Sequence, residues 1–449
     1  MSAETAFAGV VGAEHVLGPA RLALRDPGWC AGSQGAGLLV RPGSTAELAE
    51  VMRVAAAEGL SVVAQGGLTG LVDGTWSAPG QAIVSFERMA RIVDLDAAQG
   101  VAVVEPGVTL AALDAALAPL GLMAGVDIAA RDSCTIGGMV ATNAGGTRVL
   151  RYGMTRASVL GLEVVLADGT VLDLMAPLLK NNAGYDLKQV FIGSEGTLGL
   201  VSKVALRVFA RPQGSACALV GLEPGALGAV MVALRAGLGD GLAAIEAMWP
   251  GYYDTVAGLI GLTRLPMAGQ GLYVIVEATG TSDAAARSAL EACLEPLLEA
   301  GLLADAVIAQ SQADRAAIWR IREESGAIDA AYGVALSYDV GLRLADLQGY
   351  VERLTARSPA PPLVFGHVGD GNLHVMFALP EGVERAPFDA LVYDTLAEIA
   401  GSTVSAEHGI GLEKRAALQA ALPPPVLAAM RSLKAAFDPQ NRLNPGKVL

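Results

Sequence analysis

An Asp-Gly pair set between two histidines puts the tightest local constraint on this chain: Gly366-His367-Val368-Gly369-Asp370-Gly371-Asn372-Leu373-His374. Asp-Gly favours a two-residue hairpin turn, because the twist of that turn matches the twist of the strands it joins. A hairpin closed at 370–371 pairs 369 with 372, 368 with 373 and 367 with 374. His367 and His374 then stand opposite each other on one face, with Cβ atoms roughly 5 Å apart. Imidazoles at that separation can share one divalent ion. The chain has four histidines, and three of them fall in this segment and in Ala406-Glu407-His408-Gly409. Glu407 is the natural third ligand and His408 a free base. Buried structural histidines leave the same spacing, so the residues alone keep both readings open.

Composition narrows the class. At 449 residues and 53% hydrophobic content the chain can build two or three real cores, and 17% charged residues exclude a mainly disordered protein. A net charge of −14 argues against a nucleic-acid surface, which needs clustered Lys and Arg. Cys30, Cys134, Cys217 and Cys293 are widely spaced with no Cys-x-x-Cys, as expected of reduced thiols in the cytoplasm. The residues from Met1 to Val10 lack the basic start of a secretory signal, and no uncharged run is long enough to span a bilayer. The expectation is a soluble cytoplasmic protein.

Along residues 38–210, short apolar strands alternate with Ala-rich helices and Gly-rich loops. Ser44 or Thr45 should cap a helix that Gly59 stops, followed by a buried strand at 60–64. Asp168-Gly169 reads as a hairpin turn between 163–167 and 170–174. Arg211-Pro212-Gln213-Gly214 looks like a linker. Beyond it, strands at 218–222, 244–248, 272–278, 306–309, 334–339 and 363–377 predict an antiparallel sheet with helices on one face. A long helix is expected around 313–331, and a final helical stretch, 412–437, is interrupted by Pro423-Pro424-Pro425.

Three loops carry the densest signal in the first half. Gln65-Gly66-Gly67-Leu68-Thr69-Gly70-Leu71 follows a strand and can offer successive backbone N–H groups to a phosphate. It is neither a Walker loop nor Gly-x-Gly-x-x-Gly, so a nicotinamide fold is not supported. The others are 133–146, containing Ile136-Gly137-Gly138 and Asn143-Ala144-Gly145-Gly146, and 192–199, containing Glu195-Gly196-Thr197. Three such loops suggest a large ligand lying against backbone.

In this order the motifs resemble the FAD-dependent D-2-hydroxyacid dehydrogenases, flavoproteins of the vanillyl-alcohol oxidase and p-cresol methylhydroxylase superfamily. The likeness runs from Arg41-Pro42-Gly43-Ser44 to Asn444-Pro445-Gly446-Lys447 and includes Asn182-Ala183-Gly184-Tyr185-Asp186-Leu187-Lys188-Gln189. It is strongest toward D-2-hydroxyglutarate dehydrogenases. The resemblance implies an α+β protein with a two-part FAD-binding domain at 1–212 and a substrate domain at 213–405 whose antiparallel sheet is covered by helices. A C-terminal helical segment, 406–449, would close on the flavin. It implies that 65–71 cradles the FAD pyrophosphate and that 136–138, 143–146, 195–197 and Asn444 contact the cofactor. Leu68 stands where covalent relatives commonly carry His, so the FAD is expected to be non-covalent.

The same resemblance makes His367, His374 and Glu407 ligands of Zn or Mn, His408 the general base, and Asn372 part of the substrate site. Arg322 matches an arginine that grips substrate carboxylate. Gly326 and Ser337 depart from the threonine and lysine that complete a distal carboxylate site in hydroxyglutarate enzymes, which opens D-lactate or another small D-2-hydroxy acid. Arg343 is the nearby cation that could compensate. The implied function is hydride transfer from a D-2-hydroxy acid to FAD. Electrons would then pass to a separate acceptor, an electron-transfer flavoprotein or quinone-linked carrier, in a protein that could be a homodimer. Two other readings are a flavin-binding subunit of a larger glycolate or lactate oxidase complex, and a metallohydrolase that would leave the Gly-rich loops without a purpose.

Overall fold

Ser44-Thr45-Ala46-Glu47 starts its helix by a reciprocal cap: Ser44 accepts the Glu47 N–H at 3.2 Å, and the Glu47 carboxylate accepts the Gly43 N–H at 2.8 Å. The helix Thr45–Ala57 buries Leu48, Val51, Met52 and Ala55. It crosses between strands Leu39–Val40 and Ser61–Gln65, which both run parallel to Gln81–Ser85 in a four-stranded sheet. Parallel neighbours need such a crossover. Gln65 ends its strand, so the loop 65–71 leaves from the carboxyl end, where open α/β sheets place ligands.

This computed structural model describes residues 2–332, 334–380 and 382–449. Its contacts divide the chain into two units. The first comprises the residues up to Gly145, Tyr152–Arg211 and Glu407–Leu449, and the second Gly146–Arg151 and Pro212–Ala406.

Beside the parallel sheet, the first unit holds a five-stranded antiparallel sheet in the order Ile92–Asp96, Val101–Val104, Leu200–Arg207, Val159–Val165, Val171–Leu174. The turn at Asp168-Gly169 is one residue longer than expected. Val165, not Leu166, faces Val171, and the Leu166 N–H reaches the Thr170 carbonyl at 2.9 Å. Gly169 takes φ +82°, and the Asp168 carboxylate accepts the Thr170 N–H at 2.8 Å. This is the three-residue alternative that also uses a left-handed Gly.

The C-terminal residues are not a separate segment but part of this unit. Leu443 bridges Val62 in parallel, and the Asn444 N–H donates to the Val62 carbonyl at 2.8 Å. Lys434 Nζ donates to the Thr197 and Leu443 carbonyls at 2.7 and 2.9 Å. The triple proline splits the expected helix into Arg415–Ala421 and Pro424–Phe437, with Pro424 in the first turn, where its missing N–H costs nothing.

The second unit is built on a seven-stranded antiparallel sheet. Its order is Asp305–Ile308, Gly214–Leu222, Leu272–Gly280, Leu242–Met248, Leu363–Gly366, Asn372–Leu379, Val334–Gly341. Helices cover both faces, not one. On one face Tyr252, Tyr253, Ile318, Trp319, Ile321 and Ile328 pack on Leu219, Met248, Ile275, Phe365 and Met376. On the other, Phe388 and Tyr393 of the helix Ala386–Ala397 meet Phe377 and Tyr338. The reason is in the sequence: strands such as Leu242–Met248 are apolar at nearly every position, and both sides need cover. The predicted helix at 313–331 breaks at Glu324, which leaves helical geometry between Gln312–Glu323 and Gly326–Ala331.

All four cysteines are free thiols. No helix among the described residues is long and apolar enough to cross a membrane.

Candidate active site

In the first unit, glycine lets the expected cofactor loops meet backbone to backbone. A Cβ on Gly67 would stand 1.9 Å from the Ser133 carbonyl oxygen, and one on Gly66 would stand 2.5 Å from the Thr135 hydroxyl. Ile136–Thr142 is a short helix capped by the Thr135 side chain and ended by Asn143 at φ +51°. The third loop rests on it: the Gly193 and Glu195 N–H groups donate to the Val140 and Ala141 carbonyls at 2.9 and 2.8 Å. Leu68 holds φ +57°, a region strained for a branched side chain. Gly70 is exposed and Thr69 and Leu71 are half-buried. Gly146 falls outside this cluster, in the short segment assigned to the second unit.

Several side chains expected at the cofactor also hold the loops to one another. Gln65 Nε2 donates to the Ser33 carbonyl at 2.7 Å, and the Thr197 hydroxyl to the Ser194 carbonyl at 2.7 Å. Asn143 Oδ1 accepts the Arg156 N–H at 2.9 Å. Asn444 clamps two loops, accepting the Ala64 N–H at 3.2 Å and donating to the Glu195 carbonyl at 2.6 Å. The Glu195 carboxylate takes the Ile410 and Gly411 N–H groups at 2.7 and 2.8 Å, which fixes the backbone just past His408. Gly409, at φ +86° and with its would-be Cβ 3.0 Å from that carboxylate, must be glycine.

Sequence reasoning missed two lysines here. Lys414 and Lys447 are almost fully buried. Burial lowers the Lys414 pKa to about 7 and the Lys447 pKa to about 8, opposed only in part by Glu195 at Lys414 and by Cys30 and Glu195 at Lys447. Lys447 Nζ donates to the Trp76 carbonyl at 2.7 Å. Both feel the charge of Glu195 in the third loop, and an anion bound beside them would raise both pKa values.

In the second unit, Leu363–Gly366 and Asn372–Leu379 do form a hairpin, but its register differs from the expected one. His374 faces Phe365, not His367, and the His367 carbonyl accepts the Asn372 N–H at 3.2 Å. Residues 368–371 all belong to the turn, because Gly371, at φ +83°, lies so close to the Leu342 carbonyl that a Cβ would stand 2.0 Å from it. The slip is by two residues, so the faces are preserved. His367 and His374 become diagonal neighbours with ring centroids 5.3 Å apart.

The same face carries Asp339 opposite His374, Ser337 opposite Met376, and Asn372 opposite Gly341. Asp339 is buried and accepts the Ala406 N–H at 2.9 Å and the Ser405 hydroxyl at 3.3 Å. That anchors the residues that lead directly into Glu407. His367 and His374 stand together in this unit, and Glu407, the expected third donor, opens the last stretch of the first unit. Two imidazoles and a carboxylate suit Zn or Mn. His408, the next residue, is half-buried.

Arg322 is neither on the surface nor fully available. Its Nε donates to Glu246 Oε2 at 2.8 Å, its guanidinium lies 4.5 Å over the Phe365 ring, and Nη2 is 3.5 Å from His367 Nε2. Only the Nη edge is left for a carboxylate. Arg343 is largely exposed and paired with Asp346 at 2.7 Å. Glu246 itself went unremarked in the sequence. Its signal was a lone carboxylate in the strand Leu242–Met248, buried throughout.

Residues 36–175 match the FAD binding domain family, and residues 213–448 match the family described as FAD linked oxidases, C-terminal domain. The chain is 39% identical over 420 residues to the mitochondrial D-2-hydroxyglutarate dehydrogenase of Bos taurus, covering 92% of this chain and 76% of that one. It is 38% identical over 420 residues to D-2-hydroxyglutarate dehydrogenase of Xanthomonas citri pv. viticola, covering 91% and 88%. Its fold matches substrate-bound p-cresol methylhydroxylase with a TM-score of 0.78 at 16% identity, over 99% of this chain and 96% of that one. Two matched domains, and relatives this similar along nearly its whole length, place the chain in the FAD-linked oxidase family, alongside the D-2-hydroxyglutarate dehydrogenases.

Proposed function

We propose that this protein oxidises a D-2-hydroxy acid to the 2-oxo acid, with non-covalent FAD as hydride acceptor and Zn or Mn at His367, His374 and Glu407. Two imidazoles side by side in the second unit, with ring centroids 5.3 Å apart, carry the reading. FAD, when bound, supplies the two-electron acceptor. The cation, when bound, orients the substrate hydroxyl and carboxylate and favours the alkoxide. His408 takes the hydroxyl proton. The Nη edge of Arg322 binds a carboxylate, and Asn372 and Ser337 shape the same face. Loops 65–71, 136–138, 143–145 and 195–197 cradle the dinucleotide, with Lys414 and Lys447 as the buried cations of the same unit.

The names of the relatives make D-2-hydroxyglutarate the first substrate to try. Ser337 sits across from Met376, a short hydroxyl facing a thioether, so D-lactate and other small D-2-hydroxy acids belong in the same trial. Electrons leave through a separate acceptor, an electron-transfer flavoprotein or quinone-linked carrier. A cytoplasmic homodimer is the working form. Mixing the purified protein anaerobically with D- and L-2-hydroxy acids tests the reading. Loss of flavin colour with one D-isomer and none with its L-isomer is expected. Failure of every D-2-hydroxy acid to reduce the flavin would refute it.

A further inference from the structure

Glu246 lies in mid-strand in the sheet of the second unit, and its side chain is fully buried. An ionised carboxylate survives there only if it is paired and hydrogen-bonded. Both its oxygens are used. Oε1 meets Nδ1 of His367 at 2.5 Å, and Oε2 accepts from Nε of Arg322 at 2.8 Å. Held between an imidazole and a guanidinium, the carboxylate serves as acceptor to both.

We propose that Glu246 is the positioning residue of this site: it holds His367 as the Nδ1–H tautomer, so that the Nε2 lone pair is presented to a cation, and it fixes Arg322 by one edge. The cation rests on the reading above, whereas the tautomer rests on the geometry of the second unit alone. A carboxylate accepts and does not donate, so the proton between Oε1 and Nδ1 belongs to the ring. The far side of the ring agrees. Nε2 lies 3.5 Å from Nη2 of Arg322, and a guanidinium can only donate. A lone pair at Nε2 suits that neighbour, whereas an N–H would oppose it. Metal-ligating histidines commonly give their other N–H to a carboxylate in this way, and loss of that partner typically weakens metal binding 10- to 100-fold.

Glutamine cannot copy the role. Its amide has one oxygen, which can serve either His367 or Arg322. The NH₂ end would meet the other donor, or would force His367 into the Nε2–H tautomer that closes the metal position. A carboxylate kept only as a buried counter-ion would make no such demand on the ring.

The test uses full-length, flavin-loaded, metal-stripped protein labelled with ¹⁵N-histidine. With four histidines in the chain, a His367→Asn variant assigns the His367 signals. The ring-nitrogen shifts should report Nδ1–H, and an Nε2–H tautomer in the wild type would overturn the proposal without any metal present. Zinc affinity, measured by competition with a chromogenic chelator, should then fall 10- to 100-fold in Glu246→Gln at unchanged flavin content, and recover in part in Glu246→Asp. An affinity within about twofold of wild type in Glu246→Gln would also overturn it. If the wild type binds no zinc, the metal reading fails, and the tautomer still decides the role of Glu246.

Discussion

Replacing Lys414 by Met should make the stability of this protein depend less on pH, by an amount the structure allows to be worked out. Lys414 is 1% exposed, and burial, opposed by Glu195, takes its pKa from 10.5 to about 7. Each pKa unit is worth about 1.4 kcal/mol, so keeping this ammonium charged in the folded state costs roughly 5 kcal/mol. Below about pH 7 both states carry the charge, and the folded state bears the full penalty. Between about 7 and 10.5 the unfolded chain binds more protons than the folded one, so stability rises with pH. Methionine fills similar space without a charge. Urea unfolding of both proteins over that range gives the assay, and contributions from the second unit cancel in the difference. The advantage of Lys414→Met over wild type should shrink by about 1.4 kcal/mol per pH unit. A flat difference would refute the claim that this lysine is buried and charged at cost. Bound FAD should flatten the wild-type slope, because an anion raises the lysine pKa.

Three further outcomes follow from particular contacts. Gly67→Ala sets a Cβ 1.9 Å from the Ser133 carbonyl, so the two loops must part; the purified variant should lose most of its flavin, as read by its visible absorbance. Asn444→Ala frees the Ala64 N–H and the Glu195 carbonyl and places Ala at φ +41°. That should destabilise the first unit by about 2–4 kcal/mol in urea titrations. His408→Ala should keep flavin and metal but lose flavin reduction by substrate; normal reduction kinetics would remove His408 from the mechanism.

Much of this was written in local sequence. Ser44 or Thr45 and Gly59 announced a capped helix, and apolar runs located the strands of the seven-stranded sheet. The two histidine motifs foretold that His367 and His374 share a face. Their register was not legible, because Asp370-Gly371 satisfies a two-residue turn as well as the longer one that the Leu342 carbonyl selects. The second helical layer was missed because an all-apolar strand does not say which side is covered. Glu246, Lys414 and Lys447 were passed over for one reason. A charged residue reveals its burial and its partners only when distant parts of the chain assemble, and His367 lies 121 residues beyond Glu246. Gln65, Asn143, Thr197 and Asn444 were matched to the cofactor by motif, yet their side chains tie the loops together.

Whether a cation at His367, His374 and Glu407 is needed for the flavin to accept electrons from substrate is tested directly by removing it. Protein stripped of metal by chelation, with flavin retained, should stay yellow when mixed anaerobically with the preferred D-2-hydroxy acid. It should bleach once one equivalent of zinc or manganese is returned, and His374→Asn should stay yellow even then. Full-rate bleaching by demonstrably metal-free protein would contradict the account.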